Sequence, residues 1–425
     1  MARTIDRVVR DGEGPGPFTA LAAIALLAVV LRALAALVLD QHVESDALAY
    51  LAIARSLAET GVPVDTFGQH AFYNIGYPAL LALGLMGVGG GAGTALVLNL
   101  LLAALGCWLA AAVAFELTRR RDASLIAALG YALWLPGIWN ATLLAKENLS
   151  AILFLAFALA ALKTVRGARP VLAAFAGGAA WGAALLTGGS SLPLCLGMAA
   201  ALALRWRADR DGRAVLLGAL AFAGGALILL APWLHATDRM LGRPVFSTNA
   251  AFNLYIGNNP AADGRFVSIA DTPAGADWEA TRRALGELGT ADRLRAEALD
   301  WMAEYPGRAA ALGARKLVYF WLPNVPDAED IAASPLISAV RIAEMTQYLA
   351  ILALGLWGFR GDAIGRDQKW VLGAAVIGFW LLHAFAYIII RYRDPAMPLL
   401  IVMASAQLAA LWRQRLGGGV PAHAA

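Results

Sequence analysis

Residues 18–39 read FTALAAIALLAVVLRALAALVL, an apolar run in which Arg32 is the single ionisable side chain. As an α-helix, a run of about twenty such residues crosses a hydrocarbon core roughly 30 Å thick. The run follows three arginines, as a signal peptide would. Its length and the lack of a small-x-small cleavage site before Asp40 favour a retained membrane span.

Similar runs recur along the chain. Its 425 residues are 60% hydrophobic and 15% charged, whereas a soluble domain carries nearer a quarter charged residues. A closed β-barrel needs alternating polarity, which these runs lack. We therefore predict an all-α polytopic membrane protein with about ten transmembrane helices. The predicted spans cover residues 18–39, 94–117, 123–139, 147–163, 171–187, 191–204, 214–232, 338–358, 370–390 and 396–412.

The net charge of +4 does not indicate a nucleic-acid partner, because the basic residues lie in short clusters between apolar runs. One set of alternate loops contains Arg3, Arg7, Arg10, Arg119, Arg120, Arg121, Lys163, Arg166, Arg169, Arg205, Arg207, Arg210, Arg213, Arg360, Arg366, Lys369, Arg413 and Arg415. The short segments of the other set contain only Arg55, Lys146, Arg391 and Arg393. This asymmetry predicts that both termini are cytoplasmic. Cys107 and Cys195 lie inside apolar runs, which argues against a disulfide framework or a cysteine metal site.

Two outer segments are too long to be simple turns. In residues 40–93, Ser45 is a predicted helix N-cap, and apolar residues at three-residue spacing from Leu48 to Leu57 predict an amphipathic interfacial helix. The apolar stretch that begins at Tyr77-Pro78 is interrupted by glycines, which predicts a re-entrant or interfacial element.

Residues 233–337 predict a small, mainly helical periplasmic lobe. Within it, Thr290 is a predicted cap of a helix that buries Leu294, Ala298 and Trp301. The chain then divides into an N-terminal transmembrane module (1–232, spans 1–7), this lobe, and a C-terminal transmembrane module (338–425, spans 8–10).

Charged residues collect at the outer ends of the spans, at Asp46, at Lys146-Glu147 and at residues 391–394. A lipid or glycan flippase or transporter would place polar residues near the membrane midplane. A non-enzymatic assembly subunit would leave the outer acidic pair unexplained. Charge at one surface favours an interfacial enzyme.

Five stretches carry a resemblance to a known class. Residues 44–50 (ESDALAY) resemble the first-loop acidic motif of the GT-C membrane glycosyltransferases. Residues 72–78 (FYNIGYP), 146–148 (KEN), 253–260 (NLYIGNNP) and 391–398 (RYRDPAMP) are similar to later motifs of bacterial members, in the same order and on one face.

The resemblance implies an enzyme of the bacterial inner membrane that faces the periplasm and takes a sugar from polyprenyl (undecaprenyl) phosphate. The acceptor is a lipid, a glycan or a protein. Bacterial relatives, among them the aminoarabinose and protein-mannosyl transferases, often have an arginine and a proline near residues 185–187, where Gly188-Gly189-Ser190 follow here. The chain is also shorter than the members of those two subgroups, so we do not assign their substrates to it.

The resemblance and the chemistry assign roles to these residues. Asp46 is the predicted base that deprotonates the acceptor, and a single displacement inverts the anomeric centre. Arg391 is predicted to bind the donor phosphate through paired hydrogen bonds, with Lys146 and Arg393 as secondary cations. Glu147 either orients the acceptor or shares a divalent cation (Mg or Mn) with Asp46.

His70 is a possible third ligand of that cation, although no close-spaced ligand pattern supports a metal. The predicted pocket residues are Tyr50, Tyr77, Asn258 and Tyr392. The structural alternatives are that Asp46 only caps a helix and that Arg391 and Arg393 reach toward lipid headgroups.

Overall fold

The structure is a computed structural model that describes residues 17–39, 43, 45–325 and 335–417. Arg3, Arg7 and Arg10, which contribute to the predicted orientation, and Glu44 of the first motif lie outside the described residues. Within the described residues the chain is helical and has no β-strand, and one isolated bridge pairs Arg265 with Ile388. The all-α class is confirmed.

The α-helices, numbered along the chain, are α1 (Pro17–Val38), α2 (Asp46–Thr60), α3 (Gly76–Val88), α4 (Ala92–Thr118), α5 (Arg121–Ala132), α6 (Leu135–Ala141), α7 (Glu147–Arg166), α8 (Pro170–Thr187), α9 (Cys195–Asp209), α10 (Gly212–Leu241), α11 (Asn249–Gly257), α12 (Trp278–Glu304), α13 (Pro306–Trp321), α14 (Pro335–Arg360), α15 (Arg366–Leu382) and α16 (Met397–Gly417). Short 3-10 helices cover Gly189–Leu194, Ile269–Asp271, Pro273–Gly275 and Ile390–Ala396.

Seven helices in the described part of the chain are long and apolar enough to cross a membrane, and a bent pair makes up to eight spans. They match eight of the ten predicted spans. The other two predicted spans are shorter helices. Pro193 lies in a 3-10 turn, so α9 begins only at Cys195, and α15 ends at Leu382 rather than near residue 390.

The predicted third span, 123–139, is broken rather than continuous. Helices α5 and α6 meet at an angle of 51°. Buried Arg32 donates hydrogen bonds to the carbonyls of Tyr131 and Ala132, and the Gln347 amide bonds to Leu133 O and Leu135 N. These contacts satisfy backbone groups that the break leaves without helical partners.

Between α1 and α4, the short helices differ in detail from the prediction. Ser45 precedes α2 but makes no side-chain capping hydrogen bond. Leu51 and Ala54 are buried, whereas Leu48 is largely exposed. The next apolar stretch forms α3, which is too short to span and stops before Gly89, a residue with φ of +73°.

The segment after α10 forms the lobe, defined here as residues 242–325. It begins later than predicted because α10 continues through Pro232 to Leu241. In α12, Leu294, Ala298 and Trp301 are buried as expected. Thr290 is not a cap: it lies within the helix and donates a hydrogen bond to Gly286 O.

The basic loops gather at one end of the bundle. Arg413 contacts Asp122, and Arg166 contacts Asp367. Helix α16 begins at the other end, close to α2, α7 and the lobe. We call that end the site end, and the basic end the opposite end.

Candidate active site

Three distant segments meet at the site end. Asp46 lies in the first turn of α2, Glu147 in the first turn of α7, and Arg391 in the 3-10 segment that leads into α16. Arg391 Nη2 donates to Asp46 Oδ2 over 2.7 Å, and Arg391 Nε lies 3.5 Å from Glu147 Oε1. One guanidinium therefore bridges two carboxylates that are about a hundred residues apart in the chain.

The three side chains differ in exposure. The Glu147 side chain is 7% exposed, whereas those of Asp46 and Arg391 are 35% and 44% exposed. The cluster is thus closed on the side of Glu147 and open on the side of Asp46. A small molecule can reach the open side without unfolding of the bundle.

Lys146 adds a second cation to the cluster. Burial lowers the pKa of its ammonium, and the neighbouring Glu147 and Asp46 carboxylates oppose that shift. No hydrogen bond or ion pair of the Lys146 ammonium is found within the described residues. A Cβ on Gly188 would lie 3.9 Å from Lys146 Nζ, so the ammonium also borders the turn after α8.

Tyrosines line the wall next to Asp46. The Tyr50 ring packs edge-on against Tyr73 and Tyr77, with centroid distances of 5.5 Å to each. Burial raises the pKa of the Tyr73 phenol, and the nearby Asp46 carboxylate raises it further. The phenol therefore keeps its proton and can act as a hydrogen-bond donor to Asp46.

Tyr392 lies in a second aromatic group, next to Arg391 in the chain. Its ring centroid is 5.6 Å from that of Tyr387 and 5.8 Å from that of His383. Aromatic side chains near the cluster thus come both from α2–α3 and from the segment before α16.

Two residues predicted for the site are engaged elsewhere. The Arg393 guanidinium lies 3.7 Å from the centre of the Tyr348 ring and donates to Leu322 O. The buried Asn258 amide accepts from Lys316 Nζ and donates to Leu254 O and Phe385 O. Both contacts hold the backbone that surrounds the site.

The groups predicted to hold a divalent cation have other contacts in this structure. Arg391 lies between Asp46 and Glu147. The His70 ring is hydrogen-bonded through Nδ1 to Pro63 O at 2.8 Å. Within the described ranges no group of three His, Cys, Asp or Glu side chains is arranged to hold a metal ion. The divalent cation stays a prediction.

Sequence reasoning missed two contributors. Tyr73 lies in the 72–78 motif but is not among the predicted pocket residues, and its phenol lies near the Asp46 carboxylate. Asn140 Nδ2 donates to buried Asp394 Oδ2 at 2.8 Å, which ties α6 to the Arg391 segment. The residue-391 motif contained Asp394, but no local signal pointed to Asn140.

The helical bundle, with its lobe over the site end, has the fold of the GT-C glycosyltransferases. Neither a protein-family profile nor a curated protein matches the sequence. The match is to solved structures, at sequence identities that show the fold alone.

One similar structure is the archaeal oligosaccharyltransferase AglB from Archaeoglobus fulgidus in complex with an inhibitory peptide and a dolichol-phosphate. It is 14% identical, with a TM-score of 0.54, and the match covers 96% of this chain and 52% of that chain. Another is ArnT from Cupriavidus metallidurans in the apo state, 14% identical with a TM-score of 0.53, covering 93% of this chain and 61% of that one. The chain therefore spans less than two thirds of the length of either structure.

Proposed function

We propose that the protein is an inverting glycosyltransferase that moves a sugar from a polyprenyl-phosphate donor to a lipid, glycan or protein acceptor. The observation that carries this proposal is the contact of Arg391 with both Asp46 and Glu147. It unites three motif segments in one partly open cluster at the end of the bundle where α16 begins. The AglB structure with bound dolichol-phosphate supports a polyprenyl-phosphate donor for this fold.

The chemistry needs few groups because polyprenyl phosphate is a good leaving group. The acceptor oxygen or nitrogen forms a bond to C1 of the sugar while the C1–O bond to phosphate breaks. Asp46 takes the acceptor proton, and a positioned base of this kind contributes about 10²–10⁴-fold to rate. Attack opposite the departing phosphate inverts C1.

Arg391 and Lys146 are the proposed partners of the phosphate. Arg391 uses Nε and Nη2 on the carboxylates, while no contact of Nη1 is found among the described residues, so this N–H donor can bind a phosphate oxygen. The Lys146 ammonium has three donors and borders the same cluster. Together these two cations match the double negative charge that the leaving phosphate monoester develops.

Glu147 is proposed to orient Arg391 and the acceptor. Its carboxylate is buried, so its negative charge would destabilise the fold without the guanidinium beside it. The tyrosines near the cluster supply aromatic faces and hydroxyl donors suited to a sugar ring.

The basic loops at the opposite end support an orientation with the site facing the periplasm of a bacterial inner membrane and with both termini cytoplasmic. A flippase or transporter is the competing proposal. The buried Arg32, which would be its best intramembrane candidate, is instead hydrogen-bonded to the carbonyls at the α5–α6 break.

The test is a transfer assay with purified protein, a panel of polyprenyl-phosphate sugars, and lipid, glycan and peptide acceptors. We expect a glycosylated acceptor with inverted anomeric configuration and free polyprenyl phosphate as products. Movement of an intact labelled donor across vesicles without any product would contradict the proposal and favour the flippase.

A further inference from the structure

A carboxylate of the lobe holds the loop that carries Tyr73. Glu287 Oε2 accepts a hydrogen bond from the backbone N–H of His70 at 2.7 Å, and Glu287 Oε1 accepts from the N–H of Ala71 at 2.9 Å. Thr248 Oγ1 donates to the same Oε1 at 2.9 Å. Two successive backbone donors on one carboxylate fix the loop firmly, because hydrogen bonds to a charged acceptor are stronger than neutral ones.

Backbone contacts from the lobe continue along the loop. Thr248 N donates to Ala71 O at 2.8 Å, and Ser247 Oγ donates to Phe72 O at 2.9 Å. Each residue from 70 to 72 is therefore bonded to the lobe. The next residue is Tyr73, whose ring packs edge-on against Tyr50, four residues after Asp46 in α2.

The backbone at Gly286 is shaped to present Glu287. Gly286 interrupts α12 with φ of +64° and ψ of −172°, a conformation that is essentially restricted to glycine. The helix restarts at Glu287, so its carboxylate projects from a fixed helical turn. A flexible surface glutamate would not need such a break.

We propose that Glu287 is a positioning residue of the lobe that fixes Tyr73 against Tyr50 of α2 and so sets the position of Asp46, the base, at the start of that helix. This inference rests on the proposed function for its effect on turnover. The contact itself is independent of that function. The lobe would thus take part in the reaction without touching the reacting atoms.

The decisive variant is Glu287→Gln. It keeps the length of the side chain but replaces one acceptor oxygen by an NH₂ group, which cannot accept from a backbone N–H. The matched control is Asp300→Asn, which removes a carboxylate from an exposed position on the same helix. If Glu287→Gln does not yield folded protein, Thr248→Val removes one of the three hydrogen bonds more mildly and is measured in the same way.

The first readout is hydrogen exchange, which needs no transfer activity. We expect faster amide exchange in Glu287→Gln in peptides that cover residues 65–73 and 45–51, and wild-type exchange in Asp300→Asn. An unchanged exchange rate in residues 45–51 would overturn the proposal, because the position of Asp46 would then not depend on the hydrogen bonds of Glu287. If the wild-type protein transfers no sugar, the proposed function fails, while exchange in these two peptides still decides the positioning.

The second readout separates positioning from general structural damage. We expect kcat to fall about tenfold in Glu287→Gln, since small displacements of a catalytic group are costly. The KM for the donor should stay unchanged, because Arg391 and Lys146 are untouched. In a Tyr73→Ala background, which removes the ring, the same substitution should have little further effect on kcat. An unchanged kcat together with faster exchange would overturn the proposal.

Discussion

An ionic cluster lies near each end of α16, and the two clusters differ in their ratio of guanidinium groups to carboxylates. Before its start, the single guanidinium of Arg391 serves two carboxylates, Asp46 and Glu147. Near its end, the single carboxylate of Asp122 serves two guanidinia. Arg120 binds it through Nε and Nη2 at 3.1 and 2.6 Å, and Arg413 Nε lies at 3.2 Å.

Both oxygens of the Asp122 carboxylate at the opposite end accept hydrogen bonds. Asp122 Oδ1 also accepts from the backbone N–H of Ala123, and Arg120 Nη2 donates to Ala409 O as well. These bonds tie the start of α5 to the end of α16. The contacts of Asp122 thus serve to hold these two helices together.

The cluster at the site end retains unused donors. The Lys146 ammonium borders it without a hydrogen bond from the described residues, and tyrosine phenols line its open side. Both clusters join segments that are far apart in the chain, so long-range ion pairing does not distinguish them. A buried second carboxylate, Glu147, together with a bordering lysine and tyrosines, does, and the following predictions test that distinction.

The largest expected difference concerns the two aspartates. Asp46→Asn should lower kcat by about 10²-fold or more, because the amide cannot take the acceptor proton. Asp122→Asn should leave kcat within about twofold, since exposed ion pairs contribute about 0–1 kcal/mol. The measurement is single-turnover transfer with both variants shown to be folded by their thermal melting. Equal losses in the two variants would remove the distinction between the clusters.

A smaller difference is expected for the two arginines. Arg391→Ala should weaken donor affinity by about 10- to 100-fold, which corresponds to the loss of a hydrogen bond to a charged group. Arg413→Ala should leave donor affinity unchanged, because Arg120 still serves Asp122. Titration of each variant with a non-transferable polyprenyl-phosphate sugar measures this. A wild-type dissociation constant for Arg391→Ala would mean that this arginine only reaches toward lipid headgroups.

The smallest effect is a pH dependence that contrasts two lysines. Burial lowers the pKa of Lys146 and lowers that of Lys316 to about 8, but the Lys316 ammonium is bound by Asn258 and by Ala384 O. The charged form of Lys146 should add donor affinity below its lowered pKa, and this contribution should disappear as pH rises through it. An ordinary lysine would lose its charge only near pH 10.5.

Donor affinity of the wild type should therefore decline by about a few-fold as pH rises, and the decline should begin below the pH range in which an ordinary lysine loses its charge. Lys146→Met should bind more weakly at the lower pH and show a flatter profile. Lys316→Met should keep the wild-type profile. A decline that persists unchanged in Lys146→Met would show that another group titrates.

The sequence predicted most of the bundle because a span needs a long apolar run, which can be read locally. It did not predict the break between α5 and α6, since the partners of that break, Arg32 and Gln347, come from other helices. Two predicted spans also had a misplaced end. Residues 191–194 belong to a 3-10 turn that contains Pro193, so α9 starts later than predicted. Helix α15 ends at Leu382 although apolar side chains continue beyond it.

Motif positions predicted the segments that meet at the site, and the structure brings Asp46, Glu147 and Arg391 together. Motif membership did not tell which side chains face the cluster. Arg393 lies two residues from Arg391 yet packs on Tyr348. The role of Glu287 could not be predicted from the sequence, because its partners are backbone groups 216 and 217 residues away.

The most direct test of a single outer-face site is labelling of Asp46→Cys in a Cys107→Ala, Cys195→Ala background. A membrane-impermeant maleimide should react in intact spheroplasts, and a saturating polyprenyl-phosphate sugar should slow that reaction at least severalfold by covering the open side of the cluster. Reaction only after permeabilisation, or a rate that the donor does not change, would contradict the account.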